Sequence, residues 1–254
     1  SYFIDCDFTI NDDFFDPGQF NHFIGLFAVA GIPIKGCTFE NNATSARSDL
    51  YGGSGIVGTD ASFRVIPKSN STNAKRTSFK NLHNAVYAVG IGGVQSVQVD
   101  QCDFVNNDFS VMITGSNLAK ITRNNISVGR IKNQGFSAAI TSFNSTGYTI
   151  EENHISQEMG ITDPTHGIRI YNSGTAPNEV YLNTVTEMDL AMIGEGVNRF
   201  GNTEGLEFRC DSMHRNDFDF IISPTPSHSA SISGIKQTQG MSNSSAGNRF
   251  DPIG

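Results

Sequence analysis

The stretch Val97-Gln98-Val99-Asp100-Gln101-Cys102-Asp103-Phe104-Val105-Asn106-Asn107 decides how this chain is read. Val97 to Asp100 alternate apolar and polar, the period-two pattern of a half-buried strand. The alternation breaks at Cys102 and restarts at Phe104. The heart of the stretch is an apolar residue, two variable positions, Asn or Cys, one variable position and another apolar residue. This phrase recurs as Phe3-Cys6-Phe8, Ile34-Cys37-Phe39, Val99-Cys102-Phe104, Ile121-Asn124-Ile126, Ile150-Asn153-Ile155 and Val180-Asn183-Val185. The steps between its central residues are 31, 65, 22, 29 and 30. A Thr version, Ala74-Thr77-Phe79, divides the long step into 40 and 25. Cys210 follows Asn183 by 27, in looser surroundings. Repeats of roughly 20–50 residues signal a solenoid or array.

Working outward, Ser110-Val111-Met112-Ile113-Thr114 reads as the next strand, closed by Gly115-Ser116-Asn117. Tyr148 to Glu151 and Gly167 to Tyr171 continue the pattern. Short strands separated by Gly, Asn and Ser give several faces per coil. The expected fold is all-β: a right-handed parallel β-helix (β-solenoid), one stack of coils of about 22–31 residues with loop insertions. Residues 1–222 form the helix, with a loop insertion at 43–76. The Ser/Gly/Pro-rich stretch 223–254 reads as a tail, cap or linker. Asp12 to Phe23 reads as a short helix or an anchored loop. Asn is expected at the corner because it tolerates the left-handed backbone and can bond from coil to coil. The Phe at the end of the phrase is expected to point inward and stack.

Composition excludes several classes. Charged residues make up 17% of the 254 positions, against 26 Gly and 24 Asn, which is not the make-up of a helical bundle. The net charge of −8 comes with no Lys/Arg cluster, so nucleic acid is not an expected partner. No apolar run approaches a membrane span, so this segment is not expected to insert in a membrane. Ser1 lies two residues ahead of the first repeat phrase, and the natural chain is expected to begin earlier. Four Cys sit at or near one repeat position. Cys6 and Cys37 fall on neighbouring coils, within reach of a disulfide, or form part of a column of small buried side chains.

These repeats resemble the right-handed parallel β-helix proteins, the group that includes pectate-lyase-like folds. The stretch 97–107 and Tyr148-Thr149-Ile150-Glu151-Glu152-Asn153-His154-Ile155-Ser156 carry the likeness. The resemblance implies a secreted or cell-surface location. It covers polysaccharide lyases, hydrolases and epimerases as well as non-catalytic adhesins and passengers. The Cys/Asn-rich flavour is also similar to surface proteins exported by the type IX secretion system of Bacteroidetes. The expected function is a non-catalytic segment of a longer protein, acting as rigid passenger, stalk or adhesive surface. Its expected partner is a glycan or another surface or secretion protein, with no cofactor.

The alternative is a polysaccharide-modifying enzyme: a polyuronate lyase, hydrolase or epimerase. Its candidate residues are Asp163, His166 and Arg169. Asp163-Pro164-Thr165-His166 is similar to the Asp-Pro-His-Asp motif of mannuronan epimerases, with Thr165 inserted and Gly167 where that family has its second acid. His166 would serve as base and Arg169 as carboxylate clamp. Only under this alternative does Ca²⁺ enter, held by acids on adjacent coils. Asp100, Glu151 and Glu152 are the outward carboxylates near equivalent turns. Asp12, Asp13 and Asp16 are a further acidic group. Cys210 to Asp219 echoes Cys102 to Phe109 with one residue inserted, and reads as repeat grammar.

Overall fold

In a computed structural model the phrase becomes strand, corner, strand. The structure describes residues 1–12, 21–43, 52–68, 74–90, 96–129, 135–161, 163–200, 203–223, 233–241 and 243–251. Val97–Asp100 is a strand of a first sheet, Asp103–Asn107 of a second and Phe109–Thr114 of a third. The next coil repeats this with Lys120–Thr122, Asn125–Val128 and Ser137–Phe143, and the one after with Thr149–Glu151, His154–Gln157 and Thr165–Tyr171. Each strand pairs in parallel with its equivalents one coil before and one coil after. Val99 faces Ile121, Ile121 faces Ile150, Ile150 faces Val180 and Val180 faces Phe208. The chain is therefore an all-β parallel β-solenoid built from three sheets.

Stacking explains why such short strands persist. A single coil cannot bury its inward face, but its neighbours cover it. The inward column Phe8, Phe39, Phe79 and Phe104 shows this most plainly. Its rings lie 4.8, 4.8 and 5.0 Å apart, within 7° of parallel. Ile126, Ile155, Val185 and Met213 carry the same column onward. Phe39, Phe79 and Phe104 are buried, as are Ile34, Val65, Val99, Ile121, Ile150 and Val180 of the first sheet. This is the inward stacking expected of the Phe positions.

The corner departs from expectation in a useful way. The left-handed residue is the one before the Asn or Cys. Asp5, Gln101, Arg123, Glu152, Leu182 and Cys210 have φ between 52° and 56°, and Gly36 has φ 60°. Asn itself acts through its side chain. Asn124 N and Nδ2 donate to Asn153 Oδ1 (3.1 and 2.9 Å), and Asn153 N and Nδ2 donate to Asn183 Oδ1 (3.0 and 2.9 Å). Each Nδ2 also donates to a carbonyl of the preceding coil: Val99 O, Ile121 O and Ile150 O respectively. Every polar atom of these buried amides is thus used.

The next place in this file belongs to Asp211, not Cys210. Asn183 N and Nδ2 donate to Asp211 Oδ1 (2.8 and 3.0 Å), while Cys210 sits at the left-handed position. With that shift, Asp211 to Phe218 align with Cys102 to Phe109 without any insertion. The four thiols are free. Cys6 and Cys37 each bond the carbonyl two residues back, at 3.5 Å. Burial raises the Cys37 thiol and pushes the Cys102 thiol well above its ordinary range. The expected helix or loop at Asp12 to Phe23 lies largely outside the described residues, and His22–Phe27 is a strand. Most of the 43–76 insertion that is described is strand and corner, at Ser54–Thr59 and Phe63–Ile66. Near the end of the chain, Arg249–Asp251 pairs in parallel with Ser212–His214.

Candidate functional site

His166 and Arg169 lie on one strand, Thr165–Tyr171, whose Ile168 and Ile170 point into the core. Both side chains emerge on the outer face of the third sheet. Both approach the ring of Phe136. The His166 ring stacks on it at 4.4 Å and 18°, and the Arg169 guanidinium lies 4.9 Å from its centre. Arg169 also approaches Phe143 at 5.9 Å, and its Nε donates to Glu195 Oε2 at 2.6 Å. Arg169 is thereby committed to a carboxylate of its own chain. Burial, then the Arg169 charge, pulls the His166 pKa down to about 4. Its buried Nδ1 has no hydrogen-bond partner. An imidazole so adjusted is neutral at pH 7 and a weak base there.

Asp163 sits on the turn ahead of this strand. The acids that reach the His166 neighbourhood are Glu195 and Asp189, both from the next coil. Asp189 Oδ2 accepts from Thr165 N and Thr165 Oγ1, at 2.7 and 2.8 Å. Gly167, where the epimerase likeness asks for a second acid, points inward. A Cβ there would stand 2.4 Å from Ala191 O and 2.8 Å from Val185 Cγ1, so no acid fits. Phe136, Asp189 and Glu195 could not be picked from the sequence, because their link to His166 runs across coils of unequal length.

The other acids expected to face outward are differently placed. Asp100 is buried and closed off: Arg123 Nε and Nη2 donate to its two oxygens at 2.9 and 2.7 Å, and Thr122 Oγ1 adds a bond of 2.8 Å. Glu151 and Glu152 stay half-exposed or exposed at their corner. Asp13 and Asp16 lie outside the described residues. Among the described residues, no group of three or more His, Cys, Asp or Glu is placed to hold a metal ion.

Among the described residues, a concave surface lies elsewhere, on the outer face of the second sheet. A groove of about 510 Å³ crosses successive coils, lined by Asp103, Asn125, Ser127, His154, Ser156, Thr184 and Thr186 among others. A further hollow of about 590 Å³ shares Asn125 and His154 with it and is edged by Arg76, Arg123 and Glu152. Both volumes fall within the usual range of ligand sites. Hydroxyl, amide, imidazole and carboxylate side chains repeat along the groove at the coil spacing of ~4.8 Å, with the exposed Val105 among them. No family model, curated protein or solved structure matches this chain.

Proposed function

We propose that the chain is a segment of a secreted or cell-surface protein of the pectate-lyase-like β-helix group, exported by a type IX route. In this reading it is a rigid rod that holds glycan chains, or a glycan-bearing surface partner, without cutting them. The observation that carries the reading is the row of polar side chains along the groove on the second sheet. Its repeated hydroxyl and amide side chains offer a regularly spaced row of donors and acceptors, which suits an extended polyol. The in-register stack behind it keeps that row straight.

The polyuronate alternative has less support. A base at His166 would have a pKa of about 4, Arg169 is already paired with Glu195, and position 167 admits no acid. Two assays test the proposal together. Incubation with alginate, pectate and other polyuronates, with and without Ca²⁺, is expected to release neither unsaturated products nor new reducing ends. Affinity electrophoresis in gels cast with soluble polysaccharides is expected to retard the chain in at least one, and His154→Ala with Asn125→Ala to abolish that retardation. Depolymerisation, or retardation indifferent to the groove substitutions, would contradict the reading.

A further inference from the structure

Where the groove reaches its last coil, three side chains fall into line. Thr184 of the groove pairs in register with Ser212, and Thr186 with His214. Ser212 and His214 are two apart on one strand, so both point to the outer face, with buried Met213 between them pointing in. Ser212 Oγ lies 2.7 Å from His214 Nε2. On the other side of the ring, His214 Nδ1 lies 3.2 Å from Asp251 Oδ2. Asp251 belongs to the next coil, opposite His214 in the parallel ladder. Arg249 stands opposite Ser212 in that same ladder. A hydroxyl, an imidazole and a carboxylate therefore meet in the order that nucleophilic acyl transfer needs, with a guanidinium in the adjoining place.

We propose that Ser212, His214 and Asp251 form an esterolytic triad that removes small acyl groups from glycan hydroxyls lying along the groove. Asp251 accepts a hydrogen bond from Nδ1–H and so fixes the tautomer that leaves Nε2 open to the Ser212 hydroxyl. Ser212 Oγ attacks the ester carbonyl and its proton passes to Nε2. The tetrahedral intermediate carries its negative charge beside Arg249. It collapses by breaking the bond to the sugar oxygen, which takes the proton from Nε2 and leaves as the free hydroxyl. Water, deprotonated by the same imidazole, then attacks the acyl-serine; the acid departs and the Ser212 hydroxyl is restored. The sum is ester plus water giving acid plus alcohol. The substrate class follows from the surroundings. Ser212 is flanked in its column by Thr184 and Arg249, polar and charged, which suits an acetyl-sized group and not a lipid chain. The groove that leads to it presents hydroxyls and amides, which suit a polyol.

This inference goes beyond the binding reading, and it can fail separately from it. The first measurement uses the unaltered chain: a fluorophosphonate probe followed by peptide mass spectrometry. The probe is expected to mark Ser212, and to mark it at least about 100-fold more slowly in His214→Ala, the usual contribution of a general base. Hydrolysis of 4-nitrophenyl acetate and of an acetylated xylan is expected to fall by a similar factor in Ser212→Ala, with circular dichroism unchanged. No label on Ser212 in the folded chain, or hydrolysis that survives Ser212→Ala, would overturn the triad. Retardation of Ser212→Ala by polysaccharide gels reports on the groove independently. If it persists while the unaltered chain itself hydrolyses neither ester, the binding reading stands and the triad falls.

Discussion

Asp211 is the acid in a file that runs Asn124, Asn153, Asn183, Asp211 and Asn248. In the coils before it, an amide Nδ2 donates both to the next member and to a carbonyl of the preceding coil. By register the corresponding carbonyl for Asp211 is that of Val180, across from Phe208. Asp211 Oδ2 is buried and has no partner. Burial, with a smaller push from the charge of Glu179, raises this carboxyl from 3.8 to about 7, against the opposing pull of the bonds from Asn183. The folded chain thus binds the proton more tightly than the unfolded one. Stability from this group is complete below about pH 4 and is lost as pH climbs through about 7. Chemical denaturation across that window should show a loss on the order of 4 kcal/mol at most. Asp211→Asn should flatten the slope and raise stability at pH 8. A slope unchanged in Asp211→Asn would refute this account of the file. Leu182 makes a second case: exposed and at φ 55°, it holds a backbone that β-branched residues resist. Leu182→Val should lower stability by roughly 1 kcal/mol and Leu182→Asn should not, as thermal melts of the two would show.

At the scale of the coil, two side-chain columns hold neighbouring elements together. Phe79 is fully buried between Phe39 and Phe104, so Phe79→Ala should cost about 3–5 kcal/mol in denaturant titrations. Asn153→Ala removes an amide that accepts two bonds and donates two, leaving buried partners orphaned on both sides; a loss of about 3 kcal/mol is expected. Both columns were legible in the sequence because they depend on identity at a repeated position. The left-handed corner was not, since Gln101, Arg123, Glu152 and Leu182 share no residue type that announces φ > 0. Nor was the frame of the last phrase. A Cys beside an Asp invited alignment on the Cys, whereas the backbone and the amide file place Asp211 there.

For the whole molecule, the same unequal coil lengths that preserve the core hide what lies on the outer faces. His166 and Arg169 could be singled out together because they share a strand. Glu195, Asp189 and Phe136 could not, because they are brought to that strand from the coils on either side of it. Asp251 was further out of reach: it lies 37 residues from His214, in a stretch whose composition reads as tail. The central claim is that successive coils stack in one direction with a fixed step. Pulsed electron resonance between nitroxides tests it most directly, with Cys6 and Cys210 replaced by Ser and labels at outward first-sheet positions. Arg64, Gln98, Lys120, Thr149, Glu179 and Glu207 form one such column. From a fixed label at Arg64, distances to Thr149, Glu179 and Glu207 should increase in order, by ~4.8 Å per coil. Distances that fail to grow with coil number, or that reverse between Thr149 and Glu207, would contradict the stack and everything built on it.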